Sequence, residues 1–198
     1  DVGTVEPNQV AVIWITVKNP NTAELLWRNT VRIEEAHFYF VPLQKEYALS
    51  HEIRPGQTDI GELTFQVKKE AEAGVYPIVI SLSGGVGSCE EGCIPYFIEK
   101  EILIKVRREE PSLEVSHAIS GTHIVIKLTN TGTGEAYNVM CEEVSVGLIK
   151  PGESREVTLD KRSTFTITYE DEYGKEFSQP FRISEEKQES SAQSVLFV

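Results

Sequence analysis

The sequence predicts an all-β protein built as two tandem β-sandwich domains, residues 1–108 and 109–184, with a polar linker and apolar tail at 185–198. Three observations predict it. Apolar residues recur with a period of two rather than 3.6, the mark of pleated strands. Turn-forming residues interrupt these runs every eight to twelve positions or so, as in sandwiches. Finally, the second half repeats the plan of the first.

The elements follow in order. In "NQVAVIWITVKN" both alternating sets are apolar, Val10, Val12 and Trp14 against Ala11, Ile13, Ile15 and Val17. This predicts a central strand covered on both faces or capped by a neighbouring element, with Trp14 in the core. "NTVRIEEAHFYFVP" carries a second strand whose alternation changes phase at Glu34-Glu35, the signature of a β-bulge. "DIGELTFQV" follows the Pro55-Gly56 turn, and "GVYPIVISLSG" and "YFIEKEILIKVRR" complete the first set. Between them "SGGVGSCEEGCIPYF" reads as a long loop. Only "KKEAEAG" and "EEKQESSAQ" have a helical composition, and neither has the apolar stripe of a packed helix.

The boundary falls at "RREEPSLEV", where charge accumulates and Pro111 interrupts. Beyond it "HIVIKLTNTGTGEAYNV" repeats "VIWITVKNPNTAE": an apolar strand ends in Asn and a small polar turn follows. "LIKPGESREVTLD" likewise repeats "IRPGQTDIGELTFQV". "STFTITYEDEYGKEFSQPFRI" closes the second domain as a hairpin, with threonines outward and Gly174 in the turn.

The run from strand to "NTGTGEAYNV" to "IKPGES" to a final strand resembles the CARDB-type immunoglobulin-like domains of archaeal and bacterial surface proteins. "VKNPN", "RPGQT" and "AGVYPIVISL" are similar to the same broad group, which includes surface-layer (S-layer) domains, although "NPN" replaces the Asn-x-Gly form at Asn21. The resemblance implies two immunoglobulin-like sandwiches in an extracytoplasmic spacer or adhesion role. It transfers no catalytic residue.

Composition excludes other classes. A net charge of −12 opposes nucleic-acid binding, which needs clustered Lys and Arg. No apolar run approaches the roughly 20 residues that cross a bilayer as a helix. The chain begins at Asp1, which reads as a mature form or an excised piece. P-loop, Gly-x-Ser-x-Gly and His-Glu-x-x-His motifs are absent, so no catalytic residue, metal or cofactor is expected.

Cys89 and Cys93 raise three readings. Structural zinc needs four ligands, whereas Cys141 lies in the other domain and His37, His51, His117 and His123 have no ligand spacing. A redox pair would read Cys-x-x-Cys at a helix start. The remaining reading is a disulfide stapling the loop tip, worth about 2 kcal/mol by chain entropy. It points to an exported protein, with Cys141 a buried free thiol.

Leu25, Leu26 and Trp27 read as an apolar loop that either covers the sandwich edge or contacts a partner; the other expected binding residues are Glu90, Glu91, Tyr96 and Phe97 on the stapled loop. Val195, Leu196 and Phe197, after the polar linker, are expected to dock in a groove or on a sheet edge. The function expected from these features is a non-enzymatic surface spacer or adhesion module. Its partner would be a protein or glycan, or a second copy joined through a sheet edge or the tail. The alternative is an accessory domain of an exported hydrolase whose catalytic part lies elsewhere.

Overall fold

The computed structural model describes residues 3–87 and 92–183. The chain is all-β, two tandem immunoglobulin-like sandwiches. It divides into two compact units, Asp1–Arg108 and Glu109–Val198. No helix occurs among the described residues. "KKEAEAG" forms a turn instead: the Ala71 amide donates to the Lys68 carbonyl, and Ala71 itself is fully buried. The buried Arg108 guanidinium donates to the Lys69 and Ala71 carbonyls and ties that turn down.

The first unit holds β1 (Thr4–Val5), β2 (Val10–Lys18), β3 (Leu26–Ala36), β4 (Phe40–Gln44), β5 (Glu46–Ala48), β6 (Glu52–Ile53), β7 (Thr58–Val67), β8 (Gly74–Val86) and β9 (Ile94–Val106). The larger sheet has the order β1-β9-β8-β3-β5, with β6 also on β3; the smaller is β2-β7-β4. Val31, Ile33, Leu63, Phe65, Val67 and Ile78 fill the space between them. The β3–β8 register shifts between Ile33 and Glu35, where the alternation changes phase. The glycine-rich "SGGVG" is not loop: β8 runs through it to Val86, paired with β9 as far as Ile94. Small side chains do not end a strand whose partner continues beside it.

The second unit holds β10 (Leu113–Ser120), β11 (His123–Asn130), β12 (Ala136–Cys141), β13 (Val144–Ile149), β14 (Ser154–Asp160), β15 (Thr164–Glu170) and β16 (Glu176–Arg182). Its sheets are β10-β11-β14 and β13-β12-β15-β16. Ile124, Ile126, Leu128, Val139, Ile149, Phe165 and Ile167 form its core. The acidic turn after β15 is organised by Asp171, whose buried carboxylate accepts from the Tyr173 and Lys175 amides.

One device is built twice. Asn19 directly follows β2 and Asn130 ends β11, and both are fully buried. Asn19 Nδ2 donates to the Glu24 and Ile53 carbonyls at 2.8 Å each. Asn130 Nδ2 donates to Gly134 and Ile149 carbonyls at 2.8 and 3.0 Å. Each Asn carbonyl then accepts the amide of a Pro-Gly turn, from Gly56 at 3.0 Å and Gly152 at 2.7 Å. Both glycines have positive φ, 75° and 77°, as the third residue of such a turn requires. Buried amide groups of this kind are strongly placed because leaving them unpaired costs about 1–3 kcal/mol each.

Candidate functional site

The duplication isolates what differs between the sandwiches. In the second, β10 covers the outer edge of β11 antiparallel over its whole length, from Leu113↔Asn130 to Ser120↔His123. In the first, the only strand preceding β2 among the described residues is β1. Its two residues pair in parallel with β9, on the other sheet. The turn Glu6–Gln9 then carries the chain across to β2. β2 therefore pairs with β7 along one side, Val10↔Gln66 to Lys18↔Thr58, and with no described strand along the other.

The side chains register the gap. On β7 the inward Leu63, Phe65 and Val67 are completely buried. On β2 the inward Ala11, Ile13 and Ile15 are only half-buried, and burial is complete only at Val17. β9 fades the same way. Its inward set runs Val106, Ile104, Ile102, Lys100, Ile98, and it passes from fully buried Val106 to Ile98, 56% exposed. Two depressions, of about 430 and about 710 Å³, lie along this opening and share Ile13, Trp14, Lys100 and Ile102. The walls are mostly apolar: Ile15, Val17, Leu82 and Ile98 line the first together with Lys18 and Ser81, and Val5, Ala11, Phe65 and Ile104 line the second together with Glu101. An open, half-buried apolar edge with free backbone donors and acceptors is a template for another strand.

Trp14 is not a core residue: β2 is an edge strand, so its second apolar set faces out, and Trp14 is 68% exposed. Val10, Val12 and Ile60 share that outer face. Leu26 and Trp27 are not in an apolar loop; only Leu25 lies in the connection before β3. Leu26 is core, and Trp27 lies on β3 with its ring edge-on to His51 at 4.9 Å. Pairing of β3 with both β6 and β8 draws this segment into the sheet.

Tyr96 and Phe97 lie on β9. The Tyr96 hydroxyl donates to the buried Asn29 Oδ1, and burial raises its pKa. Phe97 points outward, 59% exposed. Cys89, Glu90, Glu91, Val195, Leu196 and Phe197 fall outside the described residues, while Cys93 is disulfide-bonded. Cys141 is a free, fully buried thiol whose pKa is raised by burial and then by the Glu142 charge. Among the described residues no group of three or more His, Cys, Asp or Glu side chains could hold a metal ion. No helix there is long and apolar enough to cross a membrane.

The groove residues Ile98, Lys100 and Ile102 escaped the sequence reading. Their signal was present. Tyr96, Ile98, Lys100, Ile102, Ile104 and Val106 form one alternating set, and a single lysine interrupts it.

No family model matches the chain, and no curated protein matches it. Similar solved structures include the E. coli chaperone DraB, 14% identical with a TM-score of 0.32, over 92% of this chain and 94% of that one. The Salmonella enterica SafA pilin in complex with the SafB chaperone matches at 9% identity and a TM-score of 0.31, over 92% and 93%. The Acinetobacter baumannii CsuC–CsuE chaperone–tip adhesion subunit complex matches at 10% and 0.29, over 89% and 93%. All three are or contain chaperones, two of them with a pilus subunit, and none is a surface-layer domain, so the CARDB-type resemblance is corrected. The surface-spacer, adhesion and hydrolase-accessory functions fall with it. So do glycan binding and self-association as partner modes. The error has a physical origin: Asn-ended strands and Pro-Gly turns serve any sandwich that must close its ends, so they carry no function. At these TM-scores the likeness assigns this chain no function of its own.

Proposed function

We propose that this chain is a non-catalytic, chaperone-like binding protein that captures an extended apolar segment of a partner protein by strand addition in its first sandwich. The observation that carries the reading is the open edge of β2 beside the exposed half of β9. Main-chain pairing supplies affinity in such docking, and alternate side chains entering the groove supply selectivity. The disulfide at Cys93 supports an oxidising, extracytoplasmic compartment, and we extend the proposal to Cys89 as its partner. A protein subunit is also the kind of partner named in the SafA–SafB and CsuC–CsuE complexes.

Hydrogen exchange tests the reading. Synthetic peptides of eight residues with alternating apolar side chains are added to the full chain, and amide exchange along β2 is followed. The expected result is slowed exchange from Val12 to Lys18, abolished by Ile13→Lys, which sets a charge into the groove. Unchanged exchange along β2 at saturating peptide, across the whole peptide set, would overturn it.

A further inference from the structure

The second sandwich contains a template for what the first lacks, and the groove contains a group that the template does not satisfy. The shared Asn device aligns the strands residue for residue in sequence and register: Asn19 with Asn130, Val17 with Leu128, Ile15 with Ile126 and Ile13 with Ile124. β10 lies antiparallel on that strand with Leu113, Val115, His117 and Ile119 in the inward phase and Glu114, Ser116, Ala118 and Ser120 outside. Leu113 is buried, and the His117 ring sits 5.5 Å from Phe181 on β16, so β10 also reaches the opposite sheet. A strand taking the same place in the first sandwich runs antiparallel to β2 from Asn19 to Val12. Its inward side chains face Asn19, Val17, Ile15 and Ile13.

Those side chains meet Lys100. It belongs to the inward set of β9 and lines both depressions, beside Ile13, Trp14 and Ile102. Its ammonium has no hydrogen-bond or ion-pair partner among the described residues. The molecule is otherwise acidic, with 31 Asp and Glu against 19 Lys and Arg. An unpaired lysine in an apolar groove deters a purely apolar strand, as inward charges on edges do. It favours one that brings a carboxylate, because an unpaired charge becomes more costly as a docked chain excludes water from it.

We infer that the groove takes a strand from another protein that runs antiparallel to β2 and is apolar at alternate positions. Opposite Ile15 or Ile13 it carries an Asp or Glu whose carboxylate pairs with Lys100. This inference rests on the strand-capture reading and specifies the partner it selects.

The test uses the full chain and seven peptides on the β10 pattern, with Leu at inward positions one, three, five and seven. One peptide keeps all four; the others place Asp, Asn or Lys at position five, and a second set does so at position seven. Binding is read by the blue shift of Trp14 emission, with Trp14→Phe as the silent control. In one of the two sets the Asp peptide is expected to bind about tenfold tighter than the Asn peptide, and the Lys peptide more weakly than either. Lys100→Glu should reverse that order, making the Lys peptide the tightest, which a merely structural lysine would not do. A nitroxide at the peptide N-terminus should broaden amides near Lys18 and Thr58 rather than near Val10 and Gln66.

Equal affinity for Asp, Asn and Lys at both positions would overturn the inference and leave strand capture standing. Broadening at the Val10 end would overturn the antiparallel orientation. Failure of every peptide to bind would sink both readings. Binding that appears only after removal of residues 184–198 would assign the groove to the chain's own tail. A dimer dissociated by peptide would assign it to a second copy, and either result overturns a foreign partner.

Discussion

β2 and β11 are the same strand placed in two settings. Both lead to a buried Asn that pins a Pro-Gly turn, and both pair on one side with the strand that follows that turn. Yet Ile124 and Ile126 are fully buried, while Ile13 and Ile15 are half-open. The two units also differ at the turn after the Asn. In the second unit that turn is Asn-Thr-Gly-Thr-Gly, and residues 109–112 pass directly over it. A Cβ on Gly132 would collide with the Glu110 carbonyl and the Ser112 amide, and one on Gly134 would lie 2.7 Å from the Glu109 carbonyl. Asn130 Oδ1 accepts the Ser112 amide at 3.2 Å and delivers the chain into β10. In the first unit the matching turn is Asn-Pro-Asn-Thr-Ala, where Asn21 and Ala23 stand in place of the two glycines. Asn19 Oδ1 accepts only the local Asn21 amide among the described residues. The second unit's glycine corner thus makes room for the incoming first strand, and the first unit has neither those glycines nor a described strand in that place.

The strongest way to break the comparison is to exchange that corner. Gly132→Asn with Gly134→Ala forces two side chains into occupied backbone, and overpacking of this kind costs about 1–3 kcal/mol per site. We expect about 4 kcal/mol lost from the second unit in chemical denaturation, with fast exchange appearing along β11. Retained β10–β11 protection would show that the glycines do not seat the strand.

Next in size is the Asn itself. Asn130→Ala orphans the Gly134 and Ile149 carbonyls and releases the tether to Ser112, an expected loss of about 3 kcal/mol. Asn19→Ala, with no incoming strand to release, is expected to cost about 2 kcal/mol. Equal losses would mean that the tether contributes nothing.

The paired isoleucines sharpen the comparison further. Ile124→Ala empties a closed site and should cost about 3 kcal/mol, while Ile13→Ala at the open edge should cost about 1 kcal/mol. A bound strand should close that gap in a thermal melt.

The smallest expected effect is electrostatic. The Ser50 amide, which donates to Asp59 Oδ2 at 2.7 Å, holds the Asp59 carboxyl below its ordinary value of 3.8. Its contribution is therefore present above that value and is lost as the pH falls through the lower folded pKa. The Ser50 amide shift in an NMR titration should follow this lowered midpoint, and Asp59→Asn should remove the dependence. A midpoint at or above the ordinary value would refute the assignment.

Much of the fold was legible before any coordinates. The all-β class, the phase slip at Glu34-Glu35 and the two Asn and Pro-Gly corners are local chemistry, written in residues a few positions apart. The site was legible only in fragments. "VAVIWITVK" has two apolar faces in a buried strand and in an open one alike, so Trp14 was misplaced. "ELLW" reads as a loop until β6 and β8 pair with it. "NPN" in place of Asn-x-Gly is visible in the sequence, but its consequence depends on a segment arriving from elsewhere.

The amino-acid sequence by itself determined the period-two strands, the turns that end them and the duplication of the plan, because each depends on backbone conformation and its nearest side chains. Only the tertiary structure decided which strand edge is covered. Covering an edge is a pairing between distant segments, and it depends on what the packed corner leaves room for.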